Sequence, residues 1–149
     1  MRIKREVDPK FEMSAIMKKL EAEDKAFIFE NIKNAEMPAV GGLFTSMSRI
    51  GLIFNEDSIE DFTLDDAGQK VIAAIQNPTP TIEVDTGPVK DVVLTGTQID
   101  LNTLPVPTFF ELDTGPFITA AVGIFRKPEG HLNVGFYRVL IVDEKHVLI

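Results

Sequence analysis

Phe117-Ile118-Thr119-Ala120-Ala121-Val122-Gly123-Ile124-Phe125 and Leu132-Asn133-Val134-Gly135-Phe136-Tyr137-Arg138-Val139-Leu140-Ile141-Val142 are two runs rich in β-branched and aromatic residues. Between them lies Lys127-Pro128-Glu129-Gly130, with the residue types of a tight turn. This order predicts a β-hairpin. Val147-Leu148-Ile149 adds a third apolar run after a short polar stretch, so residues 117–149 read as an antiparallel β segment. A barrel begun at Phe117 would have only about three strands by Ile149, too few to close around a core. The chain is therefore expected to be a piece of a longer polypeptide, or to be completed by a separate subunit.

Upstream the period changes. Asp8 before Pro9 reads as a helix N-cap with proline at the first helical position, and Met13, Ile16, Met17 and Leu20 then recur at helical spacing. A helix over 9–22 is predicted, its methionine stripe packing in the core. Ala26-Phe27-Ile28-Phe29 is a short apolar run between charges, read as a buried strand. A helix from about Leu43 to Phe54 is favoured after the break at Gly41-Gly42. Another runs from Thr63 to Gln76, capped by Thr63, carrying Asp65 and Asp66 at its positive end and stopped by Asn77-Pro78-Thr79-Pro80. The acidic run Glu56 to Asp66 reads as a solvated loop and helix start. Thr81–Val84 and Val89–Thr95 are strand-like, whereas Pro105 and Pro107 forbid a central strand over Leu101–Pro107. The expected class is α+β, with an N-terminal α/β region over 1–100 and a β segment over 101–149.

Composition narrows the chemistry. The 149 residues are 44% apolar, the profile of an ordinary globular domain. With no cysteine, thiolate metal sites, iron–sulfur clusters and thiol nucleophiles are excluded. Lys plus Arg number 15 against 23 Asp plus Glu, a net charge of −8, which argues against nucleic acid as a partner. The cluster Arg2, Lys4, Arg5 is too short to reverse that. No apolar stretch approaches the ~18 residues of a membrane span and no secretory leader is visible, so a cytoplasmic location without a membrane span is expected. His131 and His146 lack a second histidine at ligand spacing and read as surface or turn residues. No serine-hydrolase elbow, phosphate loop or dinucleotide-binding glycine run is present.

The remaining candidates lie in Asn133-Val134-Gly135-Phe136-Tyr137-Arg138. Asn133 offers a neutral carbonyl oxygen suited to a hard divalent cation, and Arg138 a permanent cation whose planar donor fork suits carboxylate or phosphate. On spacing alone the pair also reads as solvated or structural. Five positions apart in a regular strand, they point to opposite faces and lie ~16 Å apart. A bulge at Gly135 would bring both to one face.

Together with Val7-Asp8-Pro9, Phe29-Glu30-Asn31, Gly87-Pro88-Val89-Lys90-Asp91-Val92-Val93, Asp100-Leu101 through Leu104-Pro105 and Asp113-Thr114-Gly115-Pro116-Phe117-Ile118-Thr119, this stretch resembles the UbiD family of decarboxylases over nearly the whole chain, in the family's order. The resemblance implies an N-terminal α/β region followed by part of a split β-barrel resembling flavin-reductase FMN-binding domains. It implies prenylated FMN, a divalent metal, usually Mn2+, and K+. By it, Asn133 is a metal ligand and cofactor contact, Phe136 and Tyr137 contact the cofactor, and Arg138 both contacts the cofactor and acts as the catalytic arginine of a carboxylate network. The implied substrate is a small aromatic or α,β-unsaturated carboxylic acid, and the implied partners are the remaining part or partner subunit of the decarboxylase, assembled as an oligomer. Pro116 and Arg126-Lys127-Pro128 depart from the family pattern beside the site. The isolated 1–149 chain is expected neither to retain cofactor nor to decarboxylate. Two competing readings are a noncatalytic assembly subunit pairing through an open sheet edge and a simple FMN-binding split-barrel protein.

Overall fold

Phe27 and Phe29 are buried with Ile28 less so, the alternation of a strand with one face against a core. In the computed structural model, which describes residues 1–54 and 57–149, this strand (β2, Phe27–Phe29) is the centre of a three-stranded sheet. Arg2–Ile3 (β1) runs parallel to it with Arg2 opposite Ile28, and Ala39–Gly41 (β3) runs antiparallel with Ile28 opposite Val40. Between β1 and β2 the chain crosses through a helix, Glu12–Ala22 (α1). Met13 and Leu20 of α1 are buried with Ile3, Val7, Phe27, Phe29 and Ile32, while Ile16 and Met17 pack against that cluster. The methionine stripe is core, as its spacing predicts. Burying each large side chain is worth ~1.5–3 kcal/mol, so this cluster is the main source of stability for the N-terminal unit.

The helix starts three residues later than expected, and Asp8 is not its cap. Lys10 bridges in parallel to Thr108, and the Asp8 carboxylate accepts the Lys10 N–H at 2.8 Å and the Lys33 ammonium at 2.9 Å. Residues 8–10 are thus used for tertiary pairing, and Phe11, at φ 68°, turns the chain into the helix. The second helix (α2, Met47–Ile53) also opens later than Leu43, because β3 runs to Gly41 and a turn closed by Thr45 Oγ1 donating to the Gly42 carbonyl follows it. The third (α3, Leu64–Gln76) matches its predicted span. Thr63 accepts the Asp66 N–H at 3.2 Å and Asp66 accepts the Thr63 N–H at 2.9 Å, a capping box that satisfies two end groups at once. Of the acidic run, Glu56 lies outside the described residues; the remainder is exposed apart from half-buried Ile59 and buried Phe62.

Thr81–Val84 and Val89–Thr95 are not strands. They are extended coil and single helical turns at Pro88–Lys90 and Gly96–Gln98, with Ile82 87% and Val89 87% exposed. Strand preference expresses packing against neighbours, and among the described residues these stretches have no strand beside them. Leu101–Pro107 forms one helical turn, Leu101–Thr103, followed by irregular chain, in keeping with its prolines.

Phe117–Arg126 (β4), Leu132–Ile141 (β5) and Val147–Leu148 (β6) form a second antiparallel sheet in that order. The hairpin turn is closed by Lys127 N–H donating to the His131 carbonyl at 2.9 Å, with Gly130 at φ 90°, a conformation open mainly to glycine. Residues 101–117 tie the two sheets together. Thr108 exchanges hydrogen bonds with Pro9 and Phe11, Phe117 N–H donates to Pro107, and Leu101 N–H donates to Glu144. The fold is mixed helix and sheet, with two small open sheets and no closed barrel among the described residues. No helix of the described residues is long and apolar enough to cross a membrane.

Candidate functional site

The alternation of β5 sorts the candidate residues onto two faces. Asn133, Gly135 and Tyr137 share one; Phe136 and Arg138 share the other. Gly135 pairs regularly with Gly123, so no bulge falls at Gly135, and Asn133 and Arg138 keep the opposite faces that regular spacing gives them. The irregularity lies in β4 instead. Ile118 pairs Val139 and Ala121 pairs Tyr137, which leaves Thr119 and Ala120 together opposite Arg138. An extra residue in one strand bends and twists it locally while its partner continues regularly. Asn133 and Arg138 consequently remain on opposite faces.

On the first face the Tyr137 ring lies across the Gly123–Gly135 pair. A Cβ on Gly123 would stand 2.7 Å from Tyr137 Cδ2 and 2.8 Å from Phe125 Cε2, so the ring occupies space that only a glycine leaves. Phe125 meets Tyr137 edge to face at 5.3 Å between centroids, a favoured aromatic geometry. The Tyr137 hydroxyl then accepts a hydrogen bond from Asn133 Nδ2 at 3.1 Å. This bond fixes the amide, and among the described residues no donor reaches its Oδ1.

Arg138 stands on the second face. Its Nη2 donates to Asp113 Oδ1 at 2.9 Å, and its Cζ lies 3.7 Å from the centroid of the Phe117 ring, a cation–π stack. The arginine side chain is 56% exposed while that of Asp113 is only 12% exposed, so the carboxylate is the sheltered partner. Phe110 N–H donates to Asp113 Oδ2 at 3.1 Å. Phe136 on the same face is 86% exposed, in an apolar strip with Val122 51%, Ile124 65% and Val134 60% exposed. Beside both faces runs an open edge. β6 pairs only with Leu140 and Ile141, so β5 from Leu132 to Val139 has a neighbour on the β4 side alone among the described residues.

The structure therefore joins Asn133 to Tyr137 and places Phe136 beside Arg138, without bringing the two pairs to one face. Asp113 and Phe117 stand in the stretch 113–119, but no role for them follows from sequence. The readable signal was an acid beside a turn glycine, a pattern common to many loops. His146 lies exposed in the turn before β6, where the Lys145 N–H and the His146 side chain hold the Asp143 carboxyl below its usual range. No cluster of His, Cys, Asp and Glu able to hold a metal occurs among the described residues.

Comparison with known proteins bears on this strand. Residues 1–64 match the family model of the 3-octaprenyl-4-hydroxybenzoate carboxy-lyase N-terminal domain, UbiD_N, and residues 81–149 that of the carboxy-lyase Rift-related domain, UbiD. A Rhodospirillum rubrum protein described as "Uncharacterized protein in cooM 5'region" is 30% identical over 100% of this chain and 32% of its own. The UbiD-class enzyme HmfF from Pelotomaculum thermopropionicum, solved in complex with FMN, is similar at TM-score 0.83 and 32% identity, over 100% of this chain and 33% of that one. Sedimentibacter hydroxybenzoicus vanillic acid decarboxylase, in its open form, is similar at TM-score 0.83 and 27% identity, over 99% and 32%. The chain thus spans about a third of the length of these relatives. Matched by both family models across most of its residues, the chain belongs to the UbiD family.

Proposed function

We propose that this chain is part of a UbiD-class decarboxylase that works reversibly on a small aromatic or α,β-unsaturated carboxylic acid with prenylated FMN. A relative of this class has been solved with FMN, and an evolved dimeric form of it with prFMN. The observation that carries the reading is strand β5, which presents an amide oxygen and a guanidinium on opposite faces of an edge that, among the described residues, no strand covers between them. A nucleotide straddling that edge would have its cation-binding phosphate end at Asn133 and Tyr137 and its ring end near Phe136 and Arg138.

The residues fit such a group in part. Arg138 gives Asp113 a bond from one nitrogen and keeps its remaining donors for a second carboxylate. Asn133 keeps Oδ1 for a hard cation. A divalent ion seeks about six ligands, so one amide oxygen is one corner of a site, and Mn2+ or K+ would take its other donors from the cofactor phosphate and from groups outside this chain. The split barrel would be completed in the same way, by strands from the rest of the enzyme or a partner subunit in an oligomer.

When bound, prenylated FMN supplies an electron sink for the carbon–carbon bond that breaks as carbon dioxide leaves. Arg138 holds the substrate carboxylate by charge-assisted hydrogen bonds and sets its angle to the reacting carbon. The exposed strip of Val122, Ile124, Val134 and Phe136 supplies apolar surface that sheds water on contact with a ring. An acid outside these residues returns the proton.

The test is made on the complete enzyme, with the rest of the protein supplied in the same frame or as a second chain and with prenylated FMN provided. Aromatic and unsaturated carboxylic acids are screened for carbon dioxide release, and flavin and metal are measured in the purified protein. Arg138→Ala is expected to abolish turnover and Asn133→Ala to lower metal content. Unchanged turnover in the first variant refutes the reading. The same open edge and exposed strip favour a second reading, a noncatalytic assembly subunit, for which the purified complex would contain no flavin.

A further inference from the structure

We propose that Asp113 and the Phe117 ring are positioning residues for Arg138, setting the plane and direction of its guanidinium before a substrate carboxylate arrives. The inference rests on the reading of Arg138 as a carboxylate-binding group and adds to it the residues that aim it. Three independent features converge on this side chain. Asp113 holds one guanidinium nitrogen at 2.9 Å, the Phe117 ring lies under its Cζ at 3.7 Å, and the β4 bulge at Thr119 and Ala120 falls opposite its backbone.

The asymmetry of exposure gives the direction of control. Asp113 is sheltered and its second oxygen is held by the Phe110 N–H, so its carboxylate is a fixed point, whereas the arginine is more than half exposed and free to swing without it. A long side chain left unrestrained keeps its rotamer freedom and loses it on binding, at a cost in affinity. Stacking on Phe117 fixes the plane of the fork, and the Asp113 bond fixes its rotation within that plane. Among the described residues Asp113 is the one hydrogen-bond partner of the guanidinium, so its Nε and Nη1 donors remain for a grip on an incoming carboxylate. Two carboxylates also share the cation, so Asp113 tempers how tightly the guanidinium holds a product acid.

Asp113→Asn preserves shape but cannot accept from both Arg138 and the Phe110 N–H, and Phe117→Leu removes the ring face while keeping apolar volume. Both are made in the complete, flavin-loaded enzyme. Dissociation constants are measured for benzoate, cinnamate and vanillate, with and without Arg138→Ala, and crystal structures of the variants are determined. With Arg138 present, each positioning variant is expected to weaken the tightest of these acids about tenfold, and with Arg138→Ala to have no further effect. The Arg138 side chain is expected to leave its seat in the crystal. Equal losses in both backgrounds would mean a merely structural role and overturn the inference, as would an arginine still seated against residue 117 in Asp113→Asn. Unchanged binding in Arg138→Ala alone, or no binding of any of the three acids by the parent enzyme, would overturn the carboxylate reading beneath it.

Discussion

Replacing Gly123 by alanine is the sharpest perturbation of the Asn133 face that leaves every candidate site side chain in the sequence. The added methyl would sit 2.7 Å from Tyr137 Cδ2, 2.8 Å from Phe125 Cε2 and 3.0 Å from Tyr137 Cε2, against the ~3.5–4.0 Å of a comfortable carbon contact. Two rings on one face must move, and neither has a flexible tip to swing aside. Overpacking of this kind costs ~1–3 kcal/mol. Displacing Tyr137 also breaks its edge-to-face contact with Phe125 and the bond from Asn133, each worth ~0.5–1.5 kcal/mol at most. We expect a destabilisation of about 2–4 kcal/mol, together with a freed Asn133 amide. Gly135→Ala is the graded control, since its methyl meets Tyr137 Cε2 at 3.2 Å and should cost about 1 kcal/mol. Gly68→Ala is the opposite control. It meets nothing within 4 Å and lies inside α3, where losing a glycine should gain ~0.5–1 kcal/mol. The assay is guanidinium denaturation of the complete enzyme, with metal content measured on the purified protein. Should Gly123→Ala unfold at the same midpoint as Gly68→Ala and match the parent in metal content, the packing argument and its proposed link to Asn133 both fail.

Phe29→Ala empties the fully buried centre of the N-terminal core, and a loss of ~3–5 kcal/mol is expected as a lowered denaturation midpoint. Thr63→Ala removes the α3 cap and should cost ~1 kcal/mol, read as faster amide exchange over Leu64–Ala67. The same cap makes stability depend on pH. The Thr63 hydroxyl and N–H hold Asp66 below its ordinary range, so its contribution is complete above that range and is lost as pH falls through the lowered value. Asp66→Asn should therefore melt earlier than the parent at neutral pH, and the gap should close in acid. The Asp8–Lys33 pair carries both signs, with Asp8 lowered chiefly by the Lys33 hydrogen bond and Lys33 raised chiefly by Asp8. Its support should fade at the acid end as Asp8 protonates and at the alkaline end once Lys33 loses its proton, seen as a plateau between two falling limbs in the melting difference between parent and Asp8→Asn.

Local signals in the sequence succeeded where the physics is local. The cap at Thr63, the turn at Lys127–Gly130 and the buried strand at Phe27–Phe29 depend on neighbours a few residues away, and each is found where the residues place it. Asp8-Pro9 failed because its carboxylate is engaged by Lys33 and its neighbour Lys10 by Thr108, partners 25 and 98 positions away that no local pattern announces. Val89–Thr95 failed for the converse reason, since strand-forming side chains do not make a strand without a second strand beside them. At the site, the types and face assignments of Asn133 and Arg138 were legible from the period of two. The bulge was not, because Gly135 carries the usual composition of one while the strand that absorbs the extra residue is β4, at Thr119-Ala120, where nothing in the residue types marks it.

The place of the bulge in β4 decides what β5 can present. An extra residue at Gly135 would have turned Asn133 and Arg138 to a common face, where a flat ligand could lie on the sheet and touch both. With the bulge in β4, β5 keeps its alternation from Leu132 to Ile141, and a ligand reaching both residues has to pass around the strand. Passage is open on one side only. β4 covers one edge throughout, while β6 covers the other no further than Leu140, so the edge alongside residues 132–139, uncovered among the described residues, is the route from one face to the other. The backbone donors and acceptors along such an edge need partners, and a phosphate or ring amide can provide them as well as a strand can. A strand engineered to pair there would therefore compete with the proposed flavin while leaving Asn133 and Arg138 untouched. Lengthening β6 to extend its pairing past Leu140 should lower flavin content with the fold intact, and retention of full flavin occupancy in that variant would show that the nucleotide does not cross this edge.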